Sequence, residues 1–228
     1  MSDVHRDFPS IEATLKKAAG ALRDAGVPFV LAGSLASWAR GGPEAHSDLD
    51  FIVHEQDAEL ALEILGRVGM RPERPPEGWL VKARDGDVLL ELIFAPLGLD
   101  VEELFANAEE LQVAAQEMDV ISLEDLMVTK LASLDEHSLD YGSVLGIARA
   151  LREQIEWPDV RRRTASSPYA RTFYSLLEEL GILTSEDPVP TDGRSAGDRG
   201  AQVEVVGRVG GPGRVGGPGQ VGGPGRPG

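Results

Sequence analysis

The chain has 228 residues and no cysteine, which excludes disulfides, thiolate metal sites and cysteine nucleophiles and fits a reducing cytoplasm. Lys and Arg number 22 against 38 Asp and Glu, a net charge of −16 that argues against duplex DNA as a partner. No apolar run approaches the roughly 20 residues that span a bilayer, and the opening MSDVHRDFPS lacks the pattern of a signal peptide, so no membrane association is expected.

Ile11, Leu15, Ala18, Ala19 and Leu22 recur at helical steps, and Gly26 is placed to end a helix over 9–25. The run 27–32 (VPFVLA) is short and β-rich and stops at Gly33-Ser34 before a second helical stretch, LASWAR. Asp48-Leu49-Asp50-Phe51-Ile52-Val53 alternates and then turns wholly apolar, as a strand entering a buried sheet from an exposed end does. A helix over 56–68 follows, and strands at 78–83 and 88–94 flank an Asp85-Gly86 hairpin signal. After Asp100 the pattern reads as helical almost throughout, with helices near 122–135, 140–153 and 168–181, the first opened by Ser122 and Asp125 in the manner of a capping box.

The fold class implied is α/β (α+β): a mixed sheet with helices packed on it over 1–105, a C-terminal helical region over 106–183, and a Gly/Pro-rich linker and tail over 184–228. From Gly207 to Gly228 glycine stands at every third position, the formal collagen period, but prolines are too few for a firm triple helix, and a flexible tail is expected.

Three features converge on one chemistry. Gly33-Ser34 at a strand-to-helix turn would let the backbone approach a phosphate. Asp48 and Asp50 are two apart on one strand, so both carboxylates share a face and suit hard cations such as Mg²⁺. Glu91 is the one charged residue in the apolar run 88–94, and a carboxylate there needs a partner, which a shared metal would supply.

In this order and setting, these residues resemble the nucleotidyltransferase superfamily that includes DNA polymerase beta. The likeness covers roughly 9–160 and is closest to the small prokaryotic members: minimal and antibiotic nucleotidyltransferases and the nucleotidyltransferase toxins of type IV toxin–antitoxin systems. The resemblance implies that Gly33 and Ser34 hold a nucleoside triphosphate such as ATP, that Asp48 and Asp50 bind two Mg²⁺ ions, and that Glu91 is the third metal-contacting carboxylate and the base toward an acceptor hydroxyl. It also implies that Lys130 offsets triphosphate charge and that Asp140 orients it or the substrate; for Asp140 a helix-capping role is the other reading.

The acceptor stays open among a tRNA 3′ end, as in a toxin with an antitoxin partner, a protein side chain, and an aminoglycoside or lincosamide. A non-catalytic nucleotide- or partner-binding protein of the same fold is the rival from another class. Arg40 and His46 lie between the two motifs within reach of a phosphate or acceptor, Lys82 on the hairpin faces a possible cleft, and Arg161-Arg162-Arg163 is the basic cluster that could meet an RNA end. Trp38, Trp79 and Trp157 read as packing residues, and His5, His46, His54 and His137 lack metal-ligand spacing.

Overall fold

The structure is a computed structural model that describes residues 8–44, 48–96 and 99–183; His5, His46 and the repetitive tail lie outside the described residues. Seven strands form one sheet. In chain order they are β1 (Val30–Ala32), β2 (Leu49–Ile52), β3 (Arg71–Glu73), β4 (Leu80–Asp85), β5 (Val88–Ile93), β6 (Glu109–Val113) and β7 (Gln116–Val120). Their order across the sheet is β3-β4-β5-β2-β1-β7-β6. The β2–β5 and β1–β7 pairs are parallel and the others antiparallel, so the sheet is mixed, as the alternation of elements implies.

The helices are α1 (Phe8–Asp24), α2 (Gly33–Ala39), α3 (Glu55–Arg67), α4 (Val101–Ala106), α5 (Leu123–Ala132), α6 (Tyr141–Leu151), α7 (Trp157–Arg163) and α8 (Pro168–Glu179). Helix α1 turns Ile11, Leu15, Ala18, Ala19 and Leu22 inward, the stripe its spacing requires, and α3 does the same with Ala58, Ala61, Leu62 and Leu65. These two helices pack on each other and on the β5 and β3–β4 part of the sheet, while α2 and α5 pack together beside β1 and β2. The central strands feed the core: Leu49, Phe51, Leu90 and Leu92 are fully buried.

At the β4–β5 turn Asp85 pairs with Val88, so the loop is Gly86-Asp87, and only Gly86 of the two has a positive φ, of 60°. Glycine thus occupies the first loop position, where a type II′ hairpin needs it.

The helical reading beyond residue 100 is corrected by β6 and β7, a hairpin that carries the sheet on to Val120 and seats β7 beside β1. Ala114 and Ala115 form its two-residue loop, both with positive φ, 51° and 62°. A type I′ hairpin demands such angles and ordinarily draws Asn-Gly to supply them. Alanine favours helix and resists positive φ, so the local sequence hides the hairpin that the sheet imposes. Helices α4 and α7 fall within the stretch that reads as helical, whereas β3, of three residues, shows no strand pattern in the sequence.

The C-terminal helices are fixed by a buried charge. Asp125, 1% exposed, accepts hydrogen bonds from Ser122 Oγ at 2.7 Å and Asn107 Nδ2 at 3.2 Å and pairs with Arg163. Ser122 caps α5 by accepting from the Asp125 backbone N–H, but the Asp125 carboxylate takes the serine hydroxyl instead of reaching back to the backbone. The pattern is therefore half of a capping box, with the acid spent on joining α4, α5 and α7.

Two measurements of unfolding in urea check this description. Replacing Ala114-Ala115 with Asn-Gly relieves two strained residues and is expected to raise the unfolding free energy by about 1–2 kcal/mol at unchanged m-value. Arg163→Met strands a buried carboxylate and is expected to lower it by about 3 kcal/mol.

Candidate functional site

Three neighbouring strands put the expected residues side by side. Asp50 on β2 stands opposite Ala32 on β1 and opposite Glu91 on β5, and Glu91 stands opposite Lys82 on β4. Laterally paired residues share a face of a sheet, so the row runs Ala32, Asp50, Glu91, Lys82 across four strands. Asp48 lies just ahead of β2, two residues before Asp50, and its charge acts on Asp50. Leu49 and Phe51 point the other way into the core, which holds the register and keeps the carboxylates on the open face.

The tightest contact in the site involves Gly33, the first residue of α2 directly after β1. Its φ is +66°, and a Cβ placed on it would stand 1.7 Å from Asp50 Oδ2. Any side chain at 33 would be both conformationally strained and in collision with the carboxylate. Residue 33 is therefore glycine because Asp50 occupies its side-chain space.

Asp50 is half-buried, and its pKa is raised to about 7. Burial is the largest cause, the negative charge of Glu91 the next; Lys130 opposes them, Asp48 adds to them and Lys82 opposes again. Lys130, on α5, is thus near enough for its charge to act on Asp50. Glu91 is bonded to Lys82, Nζ to Oε1 at 2.7 Å, and that bond holds the Lys82 ammonium above its ordinary pKa.

Among the described residues no three His, Cys, Asp or Glu side chains are gathered as a finished metal cage. The donor set nevertheless suits a divalent cation: burial first, then the charges of Glu91 and Asp48, raise the Asp50 pKa to about 7, and a cation beside it would offset all three.

Asp140 is placed apart from this row. It is exposed and caps α6, its carboxylate accepting the Ser143 backbone N–H at 3.2 Å. Ser34 and Lys130 both line a cavity of about 180 Å³ between α2 and α6. Lys82 could have been tied to Glu91 from sequence by counting outward from the Gly86-Asp87 turn, since each step pairs one residue of β4 with one of β5.

Other candidates are used structurally. Arg40 binds Glu109 at 2.8 Å and the Ile121 carbonyl at 2.6 Å, pinning the end of α2 to the β6–β7 hairpin. In the arginine cluster Arg161 pairs with Glu178 at 2.6 Å, Arg162 with Asp159, and Arg163 with Asp125 and Asp159. Trp157 is 5% exposed, and its Nε1 donates to the Arg152 carbonyl at 3.0 Å, as a packing residue does.

Two outcomes check this geometry. Gly33→Ala is expected to displace Asp50 and lower transferase turnover by about 10²-fold, read as kcat in a soluble variant. The raised pKa means that the folded state binds a proton that the unfolded state releases between the ordinary carboxyl range and pH 7, so this group's contribution to stability falls as pH rises through that window. Asp50→Asn should therefore melt higher than wild type at pH 8 in chelator and almost level with it at pH 4; an equal difference at both pH values contradicts the assignment.

Comparison with solved structures finds the same fold in nucleotidyltransferases. The antibiotic-resistance factor ANT(2″)-Ia in complex with adenylyl-2″-tobramycin superposes with a TM-score of 0.54 at 16% identity, covering 73% of this chain and 98% of that one. Its solution structure gives 0.53 at 16% identity over 76% and 97%. The lincomycin-bound lincosamide adenylyltransferase LnuA gives 0.46 at 15% identity over 60% and 95%. No curated protein matches the chain. A family model described as "Uncharacterised nucleotidyltransferase" matches residues 10–180, and the chain belongs to that family of nucleotidyltransferases.

Proposed function

We propose that the chain transfers a nucleoside monophosphate from a nucleoside triphosphate to an acceptor hydroxyl, with Asp48, Asp50 and Glu91 as catalytic residues. The observation that carries this reading is the lateral row Asp50–Glu91 with Gly33 closed against Asp50. A binding-only module has no use for a carboxylate such as Asp50 whose pKa burial and the charges of Glu91 and Asp48 all raise.

Sheet order divides the site. Gly33 and Ser34 lie on the β1 side of Asp50 and Glu91 on the β5 side. The triphosphate therefore belongs near Ser34 and Lys130, and the acceptor near Glu91 and Lys82. The acceptor oxygen attacks the α-phosphorus, the bond from that phosphorus to the bridging oxygen breaks, and pyrophosphate leaves. Glu91 takes the hydroxyl proton, and Lys82 holds the Glu91 carboxylate in place. Lys130 offsets the charge of the triphosphate. Two Mg²⁺ ions held by Asp48, Asp50 and Glu91 would neutralise the charge that develops on the entering and leaving oxygens.

For the acceptor, charge favours a cationic small molecule over a tRNA 3′ end. The arginine cluster that could meet an RNA end is paired with Glu178, Asp159 and Asp125, and Arg40 is tied to Glu109. With a net charge of −16 the chain attracts amine-bearing acceptors and repels polyphosphate backbones. The structure of the same fold solved with adenylyl-2″-tobramycin is consistent with this choice. The toxin reading, with tRNA as acceptor and an antitoxin partner, stands second.

Incubation of the full chain with labelled nucleoside triphosphates, Mg²⁺ and either aminoglycosides, lincosamides or total tRNA tests the reading. Labelling of an amine-bearing antibiotic is expected, and labelling of tRNA alone reverses the order of acceptors. Asp48→Ala and Asp50→Ala are expected to lower transfer by at least about 10²-fold while far-ultraviolet circular dichroism stays unchanged. Binding of nucleotide without transfer to any acceptor would give the binding-module view the better claim.

A further inference from the structure

A second recess lies at the end of β1 away from Gly33, where the loop after α1 meets the β6–β7 hairpin, and it has a volume of about 340 Å³. Its floor is apolar: Val27, Phe29 and Met118 line it and are buried. Its rim is acidic, formed by Glu110 on β6 and by Glu117 and Asp119 on β7, all three exposed.

The rim lacks counter-charge. Glu110 and Asp119 stand directly opposite each other across the hairpin, and like charges in that position repel. Among the described residues no lysine or arginine is ion-paired with Glu110, Glu117 or Asp119, whereas Glu109, next along β6, is taken by Arg40. Arg23 also lines the recess, but its guanidinium donates to the Glu117 carbonyl at 2.8 Å instead of to a carboxylate. Strand β6 is outermost in the sheet, so the recess opens at a sheet edge.

An acidic rim over an apolar floor fits a partner that carries cations beside small apolar groups, and the chain itself contains one. The hexapeptide Gly-Arg-Val-Gly-Gly-Pro stands at 207–212 and again at 213–218, and Gly-Gln-Val-Gly-Gly-Pro follows at 219–224. Segment 207–228 holds Arg208, Arg214 and Arg226 and no carboxylate side chain, in a chain whose net charge is −16. Residues 184–206 join this segment to Leu183, the last described residue, and that length of chain reaches at most about 80 Å. A fold of about 180 residues has a radius of gyration of about 16 Å, so length does not bar the segment from the recess.

We propose that the recess is the docking site of this chain's own segment 207–228, with Arg208 or Arg214 against Glu110 and Asp119 and the valine that follows it on the floor of Val27, Phe29 and Met118. The two identical repeats offer the same contact in two registers, and the tether supplies a high local concentration. The contact joins exposed charges, so it weakens with salt. It stands at the far end of β1 from Asp50 and does not depend on what the carboxylate row transfers.

The test uses the full chain with carbon-13 in its methionine methyl groups and a nitroxide in the repeat. The chain has no cysteine, so Gly213→Cys gives a single labelling position. Of its four methionines, Met118 lines the recess and Met70 leads into β3 at the opposite edge of the sheet. The tethered contact is expected to let the nitroxide cut the Met118 methyl signal by about 2-fold or more while Met70 keeps its intensity. Arg208→Gln, Arg214→Gln and Arg226→Gln together are expected to restore the Met118 signal, as are Glu110→Gln and Asp119→Asn together, with unchanged Met70 and Met127 shifts showing that the fold is kept. Salt at about 0.5 M is expected to restore it as well. An unaffected Met118 signal, or equal loss at Met118 and Met70, overturns the proposal, and so does a loss that survives either set of substitutions. In a mixture of nitroxide-bearing chain without carbon-13 and carbon-13 chain without nitroxide, Met118 is expected to keep its intensity. Loss there would make the occupant a second copy and overturn the assignment to the chain's own segment.

Discussion

Asp50 Oδ2 stands where a β-carbon on residue 33 would be, and the arrangement of the whole site follows from that exclusion. It requires a glycine with positive φ at the end of β1, and the break in backbone direction there starts α2 on the open face of the sheet. It also requires that β2 run beside β1 in the register that sets Asp50 against Ala32. A slip of one residue would turn Asp50 into the core and Leu49 into the solvent. The apolar packing of Leu49 and Phe51 thus maintains the geometry of carboxylates that they never touch.

A second constraint is charge. Asp50 on β2, Glu91 on β5 and Asp48 just ahead of β2 lie on two adjacent strands, and burial of Asp50, with the charges of Glu91 and Asp48 added to it, raises its pKa. The protein offsets part of it with Lys82 across the hairpin and Lys130 from α5. Lys82 comes from β4 and is bonded to Glu91, whereas Lys130 comes from α5 and lines the cavity between α2 and α6. Elsewhere arginines are consumed by carboxylates in joining helices, so the surplus of negative charge remains with the chain as a whole.

The β6–β7 hairpin shows where local preference and tertiary demand separate. Its loop is Ala-Ala, a pair that favours helix, and it adopts positive φ because the strands on either side gain five paired positions and a place beside β1. The Gly86-Asp87 turn is the opposite case, in which turn residue, strand alternation and final register agree, and the pairing of Lys82 with Glu91 was already implied by the count from the turn.

The sequence by itself determined the helices with long periodic stripes and the strands about Asp50 and Glu91, because periodicity and turn chemistry act over a few residues. Only the tertiary structure decided that Asp50 fills the space at Gly33, that Lys130 acts on Asp50 while Asp140 is spent on a helix cap, and that Arg40 and Arg161 to Arg163 are structural. Those outcomes depend on which strands become neighbours and which charges meet across many tens of residues, and no local pattern encodes such a meeting.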